Sequence, residues 1–463
     1  MLTPADALPK VLEKIDADLD RSLDRLFALM RIPSISTDPA YAAHCRTAAD
    51  HLAQDLASFG LAADVRQTAG HPIVIARGEG GAGLSVLFYG HYDVQPVDPL
   101  DLWDMPPFEP KIVARDGRRV ILGRGACDDK GQLMTFVEAC RAWTAVTGRL
   151  PLPVTLMIEG EEECGSKNLF PFVRENAAEF RLNLALVCDT GMWSADTPAI
   201  TTSLRGLLYE EVRIRCADRD LHSGLFGGAA QNPIRVLANM IAALHDDNGR
   251  ITIPGFYDGV HELPPDIKAD LDALKLTPEE FLGGVGLKVP AGERDRSLIE
   301  QVSTRPTCDP NGIVGGYTGE GAKTVIAAEA SAKISFRLVG DQDPEKIRAA
   351  FQAFVRERLP PDASVTFGNH TSAPAIQLSY DSPALTKARA ALADEWGRKA
   401  VTIGSGGSIP IVGDFKHVLG MDSLLVGFGL DDDRVHSPNE KYDLTSFHKG
   451  TRSWARILAA LAT

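Results

Sequence analysis

The stretch that decides the fold is LSVLFYGHYD, residues 84–93. Its first part, LSVLFYG, is mostly apolar, and His91, Tyr92 and Asp93 follow it directly. Similar runs recur along the chain, separated by stretches with helical periodicity: PIVIA (72–76), VTLMIEG (154–160), LALVCD (184–189) and DSLLVGFG (422–429). Continuous apolar runs separated by helices are typical of a largely parallel sheet that is covered on both faces. The sequence therefore predicts an α/β fold.

The middle of the chain has a different pattern. LLYEEVRIRC alternates between apolar and polar residues, as expected of a half-exposed strand. A helical stretch (234–245), the strand-like AKISFRLVG and a second helical stretch (344–358) follow. This order predicts a small α+β domain with an open-faced sheet. Because strands of the first type resume only afterwards, we expect residues 206–374 to be inserted into a first domain formed by 1–205 and 375–463.

The composition limits the classes of function. The 463 residues are 44% hydrophobic and 24% charged, with a formal net charge of −14. This charge disfavours a nucleic-acid partner, because phosphate binding requires a basic surface. No apolar run reaches the roughly 18 residues of a membrane-spanning helix, and the acidic, amphipathic N-terminus is unlike a secretory signal. The seven cysteines are scattered and odd in number, which indicates reduced thiols. We therefore expect a cytoplasmic protein that binds neither nucleic acid nor membranes.

Side chains that bind metals follow four of the apolar runs. LSVLFYG is followed by His91, VTLMIEG by the glutamates 161–163, LALVC by Asp189, and DSLLVGFG by a polar loop with His436. In open α/β sheets, ligands bind outside the carboxyl ends of the strands. One such residue after a strand is usually a solvated loop residue, but four together predict a metal site.

Two acidic positions fit the same site. GRGACDDKG (123–131) is a glycine-rich turn that presents Asp128 before a helix, and it lacks the G-K-[ST] ending of a phosphate loop. The two oxygens of Asp128 are suited to bridge two metal ions, an arrangement that serves hydrolysis. Asp93 is two residues from His91, so on extended backbone both side chains point the same way. Asp93 is thus suited to accept the second ring N–H of a ligating His91.

Two further patterns leave alternatives open. The glutamates 161–163 are either a solvated acidic turn or a metal ligand beside a general base, since adjacent residues point to different sides. GSGGSIPI (404–411) predicts a glycine turn with Ser408 as the N-cap of a helix. Such a helix start is either ordinary or an anion site, because free N–H groups and the helix dipole converge there.

Taken together, the motifs resemble the metal-dependent family of aminoacylases, acetylornithine deacetylase, glutamate carboxypeptidase and the cytosolic nonspecific dipeptidases. The similarity runs from IPSIS to the C-terminal helix and is greatest to the dipeptidase (carnosinase-like) branch. It is carried by GHYDVQP, GRGACDDKG, EGEEECGS, DLHSGLFGG, GEGAKTV, FRLVGDQDP, GGSIP and HSPNEK, in this order.

The resemblance implies two Zn²⁺ ions per subunit, although Mn²⁺ and Co²⁺ tolerate the same ligands. It makes Asp128 the bridging carboxylate. The remaining ligands would be His91 and Asp189 for one ion, and Glu163 and His436 for the other. Glu162 would be the general base, and Asp93 would orient His91.

The resemblance also implies a homodimer, with residues 206–374 as a lid and dimerisation domain and the rest as the catalytic domain. His222 would reach the partner subunit's active site and stabilise the tetrahedral oxyanion, and Thr324 would reach across too. Arg337 and Ser408 would hold the carboxylate of the substrate, a role for which the fork of an arginine is suited.

The expected function is therefore that of a dinuclear zinc metallopeptidase that hydrolyses dipeptides. A metal-bridging hydroxide would attack the carbonyl carbon, and Glu162 would shuttle the proton. The same machinery would also suit N-acyl amino acids or other amides that bear a free carboxylate. A third alternative, a metal-binding scaffold without catalysis, is disfavoured by the complete ligand set together with Glu162.

Overall fold

A computed structural model describes residues 2–81, 83–406, 409 and 411–463. Its α-helices are α1 (Pro4–Ala17), α2 (Leu19–Met30), α3 (Ala42–Ala57), α4 (Lys130–Thr147), α5 (Leu169–Glu175), α6 (Ala177–Phe180), α7 (Ser223–Phe226), α8 (Pro233–Ala242), α9 (Pro265–Ala273), α10 (Pro278–Phe281), α11 (Leu298–Ser303), α12 (Pro344–Glu357), α13 (Pro383–Trp396), α14 (Ile411–His417) and α15 (Leu444–Leu461). Its strands are β1 (Ala62–Arg66), β2 (Ile73–Gly78), β3 (Val86–His91), β4 (Lys111–Arg115), β5 (Arg118–Leu122), β6 (Val154–Glu159), β7 (Leu184–Val187), β8 (Ala199–Leu204), β9 (Gly206–Arg215), β10 (Leu221–His222), β11 (Thr307–Gly315), β12 (Val325–Ile326), β13 (Glu329–Leu338), β14 (Ser364–Ala373), β15 (Ile376–Gln377), β16 (Val401–Ser405), β17 (Asp422–Leu425) and β18 (Lys441–Asp443).

The chain divides into two compact units. The first unit comprises Met1–Thr202, Leu378–Thr402 and Ile411–Thr463, and the second comprises Ser203–Gln377 and Ile403–Pro410. Along the sequence, the second unit therefore interrupts the first.

The first unit is built on a sheet with the strand order β1-β2-β6-β3-β7-β17-β8. The four central strands, β6, β3, β7 and β17, run parallel, and β1, β2 and β8 are antiparallel to their neighbours. The predicted α/β fold with a largely parallel sheet is confirmed. The PIVIA strand differs, because the connection from β2 to β3, residues 79–85, is shorter than the crossover that parallel strands require. Such a connection reverses the chain direction, so β2 is antiparallel to β6.

Both faces of this sheet are covered, and β3 is buried throughout. On one face, Phe88 stacks on Phe136 of α4 with ring centroids 3.7 Å apart, and Trp454 of α15 contacts Phe136 edge-on at 5.3 Å. On the other face, Tyr89 contacts Phe415 of α14 edge-on at 5.9 Å. Successive side chains of a strand point to opposite faces. A strand between two layers of helices is therefore apolar throughout, which explains the continuous run LSVLFYG.

The second unit contains a four-stranded antiparallel sheet with the order β11-β13-β9-β14. Buried and less buried residues alternate along β9, which confirms the half-exposed strand predicted from LLYEEVRIRC. The buried side is covered by α8 and α12, where Phe336 of β13 packs against Phe351 of α12 at 5.3 Å. In the described part of the chain, no helix is long and apolar enough to span a lipid bilayer.

Candidate metal centre

His91 is the last residue of β3, and its ring is fully buried. Its Nδ1 lies 3.2 Å from the carbonyl oxygen and 3.4 Å from the carboxylate of Asp93. Its Nε2 lies 3.1 Å from Oδ1 of Asp128 but has no hydrogen-bond partner among the described residues. The Asp93 carboxylate also accepts hydrogen bonds from the backbone N–H groups of Glu162 and Glu163, at 3.3 and 3.1 Å. Asp93 thus links the end of β3 to the glutamates that follow β6.

Asp128 lies in the glycine-rich loop between β5 and α4, where it is buried. Its Oδ1 faces Nε2 of His91 at 3.1 Å, and its Oδ2 faces Nε2 of His436 at 2.9 Å. Burial by itself raises the pKa of Asp128, but the His436 and His91 rings outweigh it and lower the pKa. One carboxylate therefore presents its two oxygens to two different histidines, as a bridging ligand requires.

The two glutamates after β6 have different surroundings, although both lie in the short 3₁₀ helix Glu162–Cys164. Oε2 of Glu163 lies 3.2 Å from Nε2 of His436 and accepts a hydrogen bond from Nε2 of Gln95 at 2.7 Å. Burial raises the pKa of Glu162, and the negative charge of Glu163 raises it further. Glu163 therefore lies beside His436, where both could bind one metal ion, whereas Glu162 has the raised pKa that suits a general base.

His436 and Asp189 complete the cluster. The His436 backbone has a φ of 62°, in the left-handed region that residues other than glycine seldom adopt. The carboxylates of Asp128 and Glu163 raise the pKa of His436 to about 10. Asp189 lies two residues beyond β7, and burial, followed by the charges of Asp128 and Asp129, raises its pKa well above the ordinary value. The carboxylates are thus close enough to repel one another.

Among the residues that the structure describes, two groups of possible ligands result, and both contain Asp128. The groups are His91, Asp128 and Asp189, and Asp128, Glu163 and His436; within each group the ligand atoms lie within 4.8 Å of one another. Divalent cations fit this arrangement for two reasons. They would bind the lone pair on Nε2 of His91, and their positive charge would offset the repulsion between the carboxylates. Imidazole with carboxylates suits zinc, and manganese or cobalt tolerate the same set. The structure thus brings together the five residues that the sequence predicted as ligands.

Two of the residues predicted to contact substrate lie at a small ribbon of the second unit, formed by β10 and β12. His222 belongs to β10, and Thr324 directly precedes β12. His222 is exposed, and its Nδ1 accepts a hydrogen bond from the backbone N–H of Gly224 at 3.0 Å. Thr324 is exposed as well. His222 pairs with Val325 in this ribbon, so His222 and Thr324 lie close together.

The other two predicted substrate contacts are separate from this ribbon in the sequence. Arg337 is half-buried on β13, in the four-stranded sheet of the second unit. Ser408 and Pro410, for which a helix start was predicted, lie outside the described residues. Helix α14 begins at Ile411.

Three further residues at the site were not among the residues predicted from the sequence. Gln95 binds Glu163, as described above. The carboxylate of Asp129 accepts a hydrogen bond from the backbone N–H of His91 at 3.0 Å. Glu440 accepts hydrogen bonds from the loop that carries Asp128. Each of the three lies in a motif quoted above, but the sequence pattern does not show which backbone groups these side chains contact.

Comparisons with known proteins show which family the chain resembles. The model of peptidase family M20/M25/M40 matches residues 87–460. The chain is 30% identical to the Cys-Gly metallodipeptidase of Schizosaccharomyces pombe, over 99% of each protein. It is also 30% identical to human Beta-Ala-His dipeptidase, over 84% of this chain and 78% of that protein. The solved structure of an M20 family metallo-carboxypeptidase from Sulfolobus solfataricus has a TM-score of 0.76 and 29% identity, covering 95% of this chain and 99% of that one.

The fold and the site thus define a divalent-metal hydrolase. The chain belongs to peptidase family M20/M25/M40. The resemblance drawn from the motifs is therefore confirmed, and so is the predicted class of enzyme, a metallopeptidase.

Proposed function

We propose that this metallopeptidase hydrolyses the peptide bond of dipeptides with a free carboxylate, using two zinc ions that share Asp128. The observation that carries the proposal is the pair of ligand groups that meet at this one carboxylate, with Glu162 beside them. The proposed substrate class is supported by the relatives of similar length, which are named as dipeptidases.

When bound, the metal ions would polarise the scissile carbonyl group and lower the pKa of the attacking water. Glu162 would accept a proton from that water as the new C–O bond forms. It would then deliver the proton to the leaving amine as the C–N bond breaks. The raised pKa of Glu162 brings the carboxyl closer to neutral pH, where both transfers are efficient.

Asp93 would hold this machinery in place. Its carboxylate accepts hydrogen bonds from the backbone N–H groups of Glu162 and Glu163, and it lies beside Nδ1 of His91. One side chain would thereby fix the tautomer of a ligating histidine and the position of the base.

The second unit would supply the substrate contacts. We infer that residues 206–374 form the lid and dimerisation domain of a homodimer, in which His222 stabilises the oxyanion in the partner subunit's site, next to Thr324. Arg337 and Ser408 would hold the carboxylate of the substrate. The exposure of His222 and Thr324 on one ribbon supports this role, because both side chains are accessible.

The decisive experiment compares unmodified dipeptides with N-acylated amino acids on metal-loaded enzyme, with metal content measured on the same sample. We expect Ala-Ala to be cleaved faster than N-acetyl-alanine at two zinc ions per subunit, and cobalt or manganese to replace zinc. Faster cleavage of N-acetyl-alanine would instead show a deacylase with the same site. A chain that held two metal ions but cleaved no amide would be a binding protein.

A further inference from the structure

Glu440 is the last residue before β18 and lies four residues after His436 in the motif HSPNEK. Its side chain is completely buried. A buried carboxylate requires several partners, because its ionised form is costly to remove from water.

The partners of Glu440 all come from the loop that carries Asp128. Oε1 accepts hydrogen bonds from the backbone N–H groups of Cys127 at 2.9 Å and Asp128 at 3.0 Å. Oε2 accepts from the backbone N–H of Gly125 at 3.0 Å and from Nη1 of Arg124 at 2.8 Å. Each oxygen thus has two donors, and three of the four donors are backbone groups of the loop.

These contacts bear directly on the position of the bridging ligand. Residues 123–129 form neither helix nor strand, so no ladder of backbone hydrogen bonds fixes the Asp128 backbone. The loop also binds the Glu440 backbone, since the N–H of Gly123 donates to the Glu440 carbonyl at 3.0 Å. Glu440 therefore anchors the backbone of this loop at Asp128, and it belongs to the same short segment as His436.

We propose that Glu440 is a positioning residue of the metal centre. It fixes the position of Asp128 relative to His436. It acts through Asp128 and does not itself lie in either group of ligands. The inference rests on the metal site of the proposed function and concerns metal binding, not the choice of substrate. Because Asp128 belongs to both ligand groups, the loss of Glu440 would weaken the binding of both ions.

The test is Glu440→Gln, which keeps the size of the side chain but replaces one acceptor oxygen with an NH₂ donor. Two of the four hydrogen bonds are then lost, because the new NH₂ group cannot accept hydrogen bonds from the two N–H groups that face it. We expect the affinity of the metal-stripped protein for Zn²⁺ to fall by about 10–100-fold at both sites, the usual effect of removing a group that orients a ligand. Competition with a chelator measures this affinity, and the absorption spectrum of the Co²⁺-loaded protein should show a changed coordination.

Glu138→Gln is the matched control. Glu138 is also buried and accepts hydrogen bonds from Ser22 and Arg25. We expect this variant to lower the urea midpoint of the metal-free protein, as Glu440→Gln does, but to leave the Zn²⁺ affinity and the Co²⁺ spectrum unchanged. If Glu440→Gln does not fold, Glu440→Asp should show the same loss of affinity, because the shorter side chain withdraws both oxygens.

Wild-type Zn²⁺ affinity in a folded Glu440 variant would overturn the inference. So would an equal loss of affinity in Glu138→Gln, which would attribute the effect to general destabilisation. A wild-type chain that bound two metal ions but cleaved no dipeptide would refute only the proposed function. A wild-type chain that bound no divalent cation would refute both.

Discussion

The two units present their candidate functional side chains in opposite ways. In the first unit, most of the possible metal ligands follow parallel strands of the sheet, and the side chains of His91 and Asp128 are buried beside each other. In the second unit, His222 of a two-stranded ribbon and Thr324, which directly precedes the second strand of that ribbon, are exposed. A metal centre needs its ligands in place before the metal binds, whereas residues that contact substrate need to be in place only once substrate is present. Variants of the possible ligands in the first unit should therefore change metal binding, whereas variants of the predicted substrate contacts in the second should leave it unchanged.

The largest effect is expected for Asp128→Ala. Both ligand groups lose a member, so we expect kcat/KM to fall by about 10⁵-fold or more, because the contribution of the metal is lost. The free energy of unfolding of the metal-free protein should change by less than about 1 kcal/mol, since the lost contacts are offset by relief of carboxylate repulsion. Metal analysis, turnover and urea unfolding measure the amount of bound metal, kcat/KM and the free energy of unfolding. Asp50→Ala, at an exposed site on α3, should change none of them.

Adjacent glutamates provide a sharper test within the first unit. Glu162→Gln should retain both metal ions, because Glu162 belongs to neither ligand group, while kcat falls by about 10³-fold through loss of the base. Glu163→Gln should instead lose the metal ion shared with His436. Metal content and kcat measured side by side distinguish the two. Near-normal turnover of Glu162→Gln with both ions bound would show that the proton is carried by another group.

The next largest effect on turnover is expected for a variant in the exposed ribbon of the second unit. His222→Ala should lower kcat by about 10²-fold, the usual contribution of one donor to an oxyanion. Metal content and unfolding should be unchanged, because the side chain is exposed. His261→Ala, at another exposed histidine of the second unit, is the control and should remain active. A loss of metal in His222→Ala would break the distinction between the two units.

Mixing two inactive variants tests whether His222 acts on the partner subunit. When Asp128→Ala and His222→Ala proteins exchange subunits, each mixed dimer contains one intact site. Activity should then recover to about a quarter of the wild-type value, since half of the dimers are mixed. If no activity returns although mixed dimers form, His222 acts within its own subunit.

The smallest effect is expected for Arg337→Met. Loss of one charged hydrogen-bonding group should raise KM for Ala-Ala by about tenfold, with kcat and metal content little changed. The amide of the same dipeptide, which has no carboxylate, should show no difference between the variant and wild type. Arg213→Met, at a more exposed arginine of the same sheet, is the control. Equal losses on both substrates would exclude Arg337 as the carboxylate ligand.

Much of the fold could be read from residue patterns, because burial on both faces of a sheet requires apolar runs. LSVLFYG and VTLMIEG become adjacent parallel strands, and the alternation in LLYEEVRIRC becomes a half-exposed strand. The direction of β2 could not be read in this way. An apolar run has the same composition in either direction, and only its short connection to β3 makes it antiparallel to β6.

At the site, the sequence by itself determined which metal-binding residue types follow the strands. These residues could be expected to lie together, because the carboxyl ends of parallel strands meet at one edge of a sheet. His91, the glutamates 161–163, Asp189 and His436 follow from that rule, and the resemblance to a known family singled out Glu163. Only the tertiary structure placed the two oxygens of Asp128 against two different histidines. Only the structure, too, gave Glu440 its four donors, because these contacts join segments more than 300 residues apart in the chain. Local patterns determine elements and their ends, whereas the meeting of distant loops depends on how the whole sheet is assembled.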